Sequence, residues 1–262
     1  MALVNYEIDD GIAVLTLCRP QKRNAMSDAM LADLGAAVDR AAGEARAAVI
    51  AGRGEHFCAG LDLSEQVEKS VMEGIAGSRG WHAVFSRIQR GAIPYFVALH
   101  GAVVGGGLEL AAAGHVRVAD ANTRFALPEG QRGIFVGGGG SVNVARLMGV
   151  ARMTDMMLTG RVLSADEAER YGIVTYLTEP GGALARAKEL AKLAAKNAPL
   201  SNYAIVNALQ RIHDSGYDEG LFFESMIASL TQATPEAHER LRAFLDKKAE
   251  RLAIPTGTEA RP

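Results

Sequence analysis

The sequence predicts an α/β protein that ends in an all-helical region. Two observations predict it. Short apolar runs alternate with segments of helical period as far as residue 177, and beyond Gly182 every apolar pattern has helical spacing. Two glycine-rich turns, at Gly105-Gly106-Gly107 and Gly137-Gly138-Gly139-Gly140, each open into a helix-period segment. The expected organisation is an α/β core over residues 1–195, a helical region over 196–254 and a disordered tail over 255–262.

Composition bounds the function. A chain of 262 residues with 48% hydrophobic and 22% charged residues can bury a full core. A formal net charge of -2 gives no reason to expect nucleic acid or an anionic membrane as the main partner. Cys18 and Cys58 each sit in an apolar run, with no Cys/His spacing of the zinc type, so they read as reduced packing residues and no metal is expected. Residues 1–10 carry acids and no long apolar stretch, unlike a signal peptide. The most apolar window, 92–114, holds His100, Glu109 and many glycines, unlike a membrane span. The expected location is the cytoplasm.

The elements follow in order. Residues 4–8 and 12–17 flank Asp9-Asp10-Gly11, a hairpin signal. Ser27 caps a helix on which Met30, Leu31, Leu34 and Val38 recur at helical spacing, and 47–51 is a buried strand. Residues 64–90 read as helix broken by Gly74, Gly77 and Gly80, and Val67, Val71, Ile75, Trp81 and Phe85 either pack or line a pocket. Residues 95–99 form a strand, the helix after it starts near Gly106, and short strands follow at 115–119 and 124–126. Helices are expected over 141–148 and 153–159. The four glycines before the first of these mark either a hinge or a close backbone approach. Ser164-Ala165-Asp166-Glu167 is a capping box for a helix that Gly172 ends, before a last strand at 174–177. The remaining helices are expected at 183–195, 200–213, 218–231 and 235–252.

The chemistry centres on 99–110. A strand ends in three glycines, where a ligand can approach the backbone, and the helix start offers unpaired N–H groups and a positive dipole end. Glu109 lies three residues beyond Gly106, on the face of those donors. Taken alone, the stretch suits a phosphate, a carboxylate or an enolate. Glu109 is also an ordinary first-turn acid, and Glu129, between Pro128 and Gly130, an ordinary turn residue.

Five ordered pieces narrow this choice. They are Arg19-Pro20 with Asn24-Ala25; Phe57-Cys58-Ala59-Gly60-Leu61-Asp62-Leu63; Gly101 through Gly105-Gly106-Gly107-Leu108-Glu109-Leu110-Ala111; Phe125 with Pro128-Glu129, Gly133 and Gly137; and Ala243-Phe244-Leu245-Asp246-Lys247-Lys248. Together they resemble the crotonase superfamily of enoyl-CoA hydratases and isomerases over nearly the whole chain. The resemblance implies a crotonase-like spiral of ββα units followed by a helical trimerisation region, assembled as a homotrimer or a dimer of trimers. It also implies an acyl-CoA thioester substrate, with CoA part of the substrate and no separate cofactor.

By the same resemblance, the N–H groups of Leu61 and Gly106 form an oxyanion hole for a thioester enolate. Glu109 and Glu129 match the two catalytic glutamates of the hydratases, and Gly137 orients the attacking water. Lys22, Arg23, Ala59, Gly60, Asp62, Leu63, Phe244 and Lys247 fall at CoA-binding positions. Two carboxylates around one water resist joint ionisation, so the pair can share acid and base duty. Possession of both ranks hydration of a 2-enoyl-CoA above isomerase, hydratase-lyase or hydrolase chemistry, and above a non-catalytic CoA- or RNA-binding role. The chain also departs from the family pattern. His115 stands where Asp is common, Val136-Gly137-Gly138-Gly139-Gly140-Ser141 replaces Pro-Gly-x-Gly-Gly-Thr, and Glu239-Arg240 replaces Glu-Gly.

Overall fold

A computed structural model describes residues 2–65 and 69–246. Strands β1 (Val4–Asp9) and β2 (Ile12–Leu17) pair antiparallel about Asp10 and Gly11, whose φ angles of 54° and 74° make the mirror-image turn that suits a twisted hairpin. Helix α1 (Asp28–Glu44) starts where the Ser27 hydroxyl accepts the Met30 amide at 3.2 Å, and leads to β3 (Ala47–Gly52). Next come α2 (Val71–Gln89), β4 (Tyr95–Leu99), β5 (Ala102–Val104), α3 (Gly106–Ala113), β6 (Val116–Asp120) and β7 (Arg124–Ala126). Then follow α4 (Gly140–Met148), α5 (Val150–Thr159), β8 (Leu163–Ser164), α6 (Ala165–Arg170), β9 (Tyr176–Thr178) and α7 (Ala183–Ala195). The chain continues through α8 (Pro199–Asp214), α9 (Tyr217–Gln232) and α10 (Pro235–Leu245).

Six strands form one sheet in the order β1-β2-β3-β4-β6-β9, parallel except for the first hairpin, and β5-β7-β8 form a second. The inner strands β2, β3, β4 and β6 are buried on both faces, and the strand period of two sorts their side chains. Ala47, Val49, Ala51, Phe96 and Ala98 face Ala183, Ala187 and Ala191 of α7, whose small side chains allow close packing. Ala48, Ile50, Tyr95, Val97 and Leu99 face the main core with α1, α2 and α3. Among the described residues no helix is long and apolar enough to cross a membrane.

The chain divides into two compact units, residues 1–207 and residues 208 onward. The division falls inside α8, twelve residues beyond the expected one after Ala195, because the first half of α8 is tied to the core. Asn202 Nδ2 donates to the Ala194 carbonyl at 2.8 Å, and Asn207 Nδ2 to the Gly91 carbonyl at 3.0 Å.

Several expectations are corrected. Helix α2 runs unbroken through Gly74, Gly77 and Gly80. A reciprocal Ser70–Glu73 capping box starts it, and Trp81, Val84, Phe85 and Ile88 bury one stripe of it. Strands β5 and β8 replace what read as turn and loop, and β9 begins at Tyr176 because 173–175 is taken up in bonding α6 and Arg117. Helix α10 stops at Leu245, short of the expected 252. Residues 247–252 and the expected disordered tail lie outside the described residues. The hairpin, the Ser27 cap, the Ser164–Glu167 capping box and the helices α7 to α9 stand as expected.

A buried cation fixes the far end of α3. Arg117 donates to the Gly114 carbonyl at the α3 C-terminus at 2.7 Å and to the Ile173 carbonyl at 2.6 Å, a favourable place for positive charge. Burial pushes its guanidinium down to about 10. Replacing it by methionine strands both carbonyls, and Arg117→Met is expected to lower the unfolding free energy in urea by about 2 kcal/mol.

Candidate active site

The site begins with how one loop is shared between two neighbours. Cys58 bridges β5, donating its amide to Ala102 and accepting from Val104 at 3.1 and 3.0 Å. Three residues later Leu61 bridges Met26 on the opposite side, where Met26 donates to Gly60 at 2.8 Å and accepts from Asp62 at 2.9 Å. In a parallel bridge the Met26 bonds use the neighbours of Leu61, so the Leu61 amide itself points away. Gly60, with φ of 96°, makes the reversal, and a Cβ there would lie 2.7 Å from the Val104 carbonyl. Asn24 anchors the outer segment. Its side chain accepts from the Arg19 amide at 2.8 Å and donates to the Arg53 and His56 carbonyls at 2.9 and 2.8 Å.

Helix α3 supplies the facing donor. The Gly105 amide bonds Ala126 in β7 at 2.9 Å, which sets the helix start against the second sheet. The Gly106 amide is then in the first turn and has no acceptor among the described residues, and neither has that of Leu61. A Cβ on Gly106 would lie 3.4 Å from the Leu61 nitrogen and 2.6 Å from the Trp81 ring, so the two free N–H groups lie side by side under an indole.

Glu109, 4% exposed, stands one turn into α3. Its Oε1 accepts from the Gly138 and Gly140 amides at 2.8 and 2.7 Å, so the four-glycine run is a carboxylate grip, the close approach rather than the hinge. A Cβ on Gly140 would fall 2.8 Å from that oxygen. Burial pushes the Glu109 carboxyl above the usual range, against the pull of the Gly140, Gly138 and Gly137 amides and of His82. Glu129, 6% exposed, packs against Gly105, and its Oε2 is buried with no hydrogen-bond partner among the described residues. Burial raises its carboxyl too, and the charge of Glu109 adds to the rise.

Both carboxylates and both free amides border one pocket of about 390 Å³, with Leu61 and Gly106 in its wall. Gly74, Gly77, Ser78 and Trp81 of α2 form one side of it, and Ile134, Phe135 and Val136 another. Gly137 lies in the wall, its carbonyl held by the Ser78 hydroxyl at 2.7 Å. Such a site can hold an anion on two amides while carboxyls move protons beside it.

The other expected residues are spread more widely. Lys22 and Arg23 are exposed and outside the pocket wall, but the Arg23 carbonyl accepts the Ala59 amide at 2.9 Å, which joins their loop to 59–61. Asp62 is engaged in the fold, with Arg19 at 2.6 Å and the Ser64 hydroxyl at 2.7 Å. The bonds from Ser64 and Arg19 hold its carboxyl down at about 2. Leu63 is exposed on a short 3-10 turn. Phe244 is exposed in the second unit, and Lys247 lies outside the described residues. His115 is structural. Its Nδ1 accepts the Tyr95 amide at 2.9 Å, its Nε2 faces the Gln89 carbonyl at 3.2 Å, and burial depresses its pKa. Of the apolar residues on the α2 segment, Val71 and Trp81 line the pocket, Phe85 packs behind Trp81 at 5.4 Å and Val67 lies outside the described residues. Sequence reasoning missed Ser78, Lys69 and Asp28, which also line the pocket. Lys69 and Asp28 pair at 3.0 Å, and no motif marks them.

A family model described as enoyl-CoA hydratase/isomerase matches residues 7–252. The chain belongs to that family. Among curated relatives, a short-chain-enoyl-CoA hydratase of Clostridium acetobutylicum is 31% identical, over 94% of this chain and 95% of that protein. A 2,3-dehydroadipyl-CoA hydratase of Escherichia coli is 34% identical, over 90% and 93%. A solved structure from Rhodopseudomonas palustris, 50% identical, covers 94% of this chain and 95% of that one with a TM-score of 0.91. The structure of an enoyl-CoA hydratase of Mycobacterium smegmatis, 29% identical, covers 95% and 98% with a TM-score of 0.90. The crotonase-like α/β fold expected from the motifs is therefore the fold of the chain.

The two raised carboxyls of this family member have a stability consequence. A carboxyl whose folded pKa exceeds its unfolded value contributes stability when protonated, and the contribution is lost as pH rises through the folded pKa. Glu129→Gln is therefore expected to melt above the wild type at neutral pH, by about 2–4 °C for each 1 kcal/mol relieved. The gap should close as pH falls towards the ordinary glutamate value of 4.5, as followed by circular dichroism.

Proposed function

We propose that the protein is a 2-enoyl-CoA hydratase, adding water across the 2,3 double bond of the thioester. The observation that carries this reading is the meeting of two buried carboxylates and two free backbone amides on one pocket wall. In this reading the thioester oxygen lies on the Leu61 and Gly106 amides, where the enolate charge develops. Glu109, its Oε1 held by Gly138 and Gly140, uses Oε2 to take a proton from water as the water oxygen bonds Cβ. Glu129, whose raised pKa favours the protonated form, gives its proton to Cα as the enolate collapses. The carboxyls then exchange one proton, which restores the pair, so the proton inventory belongs to both. Gly137, in the same wall, helps orient the water.

CoA enters as part of the substrate, and the balanced reaction requires no other cofactor. Lys22 and Arg23 would meet its phosphates, and the backbone of Ala59, Gly60, Asp62 and Leu63 its purine. Phe244 and Lys247 would reach a CoA bound by a neighbouring subunit of a homotrimer or dimer of trimers. The exposed Leu221, Phe222, Met226 and Leu230 of α9 support such an assembly. The Clostridium relative is a short-chain-enoyl-CoA hydratase and the Escherichia relative a 2,3-dehydroadipyl-CoA hydratase, and both support the reaction class.

The test follows loss of the conjugated thioester absorbance with crotonyl-CoA and longer or aromatic homologues. Glu109→Gln and Glu129→Gln are each expected to lower kcat by about 10²-fold or more while the fold is kept. Undiminished turnover in either variant would remove that carboxylate from the mechanism.

A further inference from the structure

Gly74 and Gly77 have no structural reason to be glycine. Glycine weakens a helix interior, yet both sit within the nineteen-residue α2. Neither has a positive φ. Among the described residues, a Cβ on Gly74 would meet nothing within 4 Å, and one on Gly77 only the Lys69 ammonium at 4.0 Å. Conformation and packing among the described residues would thus accept a Cβ at both.

What the two share is the pocket. Val71, Gly74, Gly77, Ser78 and Trp81 lie on one helical face and all line it. Across from them Phe135 and Ile134 are 68% and 41% exposed, an apolar wall that the other described residues leave open. Glu129, deeply buried and with an unpartnered oxygen among the described residues, lines the same cavity, which marks it as built for a ligand. Clearing two positions three residues apart removes side-chain bulk along about 4.5 Å of the helix, which widens the pocket beside Phe135 and favours a broad acyl group over a straight chain.

We propose that Gly74 and Gly77 are specificity-determining residues. Their missing side chains make room, between α2 and Phe135, for a 2-enoyl-CoA whose acyl group is ring-bearing or branched beyond Cβ. The proposal rests on the hydratase reading above and names its substrate class.

The experiment compares kcat/KM for cinnamoyl-CoA and crotonyl-CoA in the wild type, Gly74→Val, Gly77→Val and Gly77→Ala. Ala76→Val, on the exposed side of α2 and outside the pocket wall, is the control. The wild type should prefer cinnamoyl-CoA. Each valine should cut the cinnamoyl-to-crotonyl ratio by about tenfold or more, and alanine by less in the same direction. Gly77→Ala strengthens the helix, so its melting point should rise while the ratio falls, which separates lost room from lost fold. A ratio unmoved by the valines, or moved equally by Ala76→Val, overturns the proposal.

Calorimetric binding of 3-phenylpropanoyl-CoA and butyryl-CoA, neither of which can be hydrated, keeps the two readings apart. If the protein hydrates neither enoyl-CoA, the hydratase reading fails. The proposed wall then stands if the valines selectively weaken 3-phenylpropanoyl-CoA, and falls if they do not.

Discussion

The Met26–Leu61 bridge is the constraint on which the site depends. A peptide amide in a folded interior almost always finds an acceptor, so a free one has to be held free. Here the bonds on either side of Leu61 are taken by Met26, and Gly60 turns the chain so that the remaining amide faces the start of α3. Asn24 holds the outer segment through three bonds to backbone groups, and β5 holds the inner one. The two amides are therefore oriented before any ligand arrives, and their alignment costs nothing at the moment of reaction.

The carboxylates show the opposite economy. Glu109 spends one oxygen on the Gly138 and Gly140 amides, which position it and partly offset its burial. Among the described residues nothing grips Oε2 of Glu129, and the charge of Glu109 raises its carboxyl further. A core would not tolerate that arrangement for stability alone. Burial raises both carboxyls, and the charge of Glu109 raises Glu129 further, so the pair resists joint ionisation.

Much of this was legible in the sequence. The Ser27 cap, the Ser164–Glu167 box and the Asp10-Gly11 turn are local chemistry and appear where they were expected. Glu109 and Glu129 stand in ordered motifs, and the structure brings both to one pocket with Leu61 and Gly106. Less legible was α2. Three glycines read as breaks, because propensity counts each residue alone, whereas the capping box and the buried Trp81–Ile88 stripe carry the helix through them. Ser78 was invisible for a related reason, since nothing in a helix period says which face borders a cavity, and Lys69 lies just before α2 in no motif.

By itself the sequence determined the alternation of strands and helices, the glycine-rich turns and the two glutamates, all set by spacing over a few residues. Tertiary structure alone decided which of two readings each ambiguous piece takes. The four-glycine run is a grip on Glu109 and not a hinge, because α4 starts against α3. Asp62 is tied to Arg19 and Ser64, which a sequence of CoA-contact positions does not reveal. And the Leu61 amide is free only because Met26, thirty-five residues earlier, occupies the bonds beside it. Spacing along the chain encodes local geometry, but an unsatisfied donor is a property of everything around it.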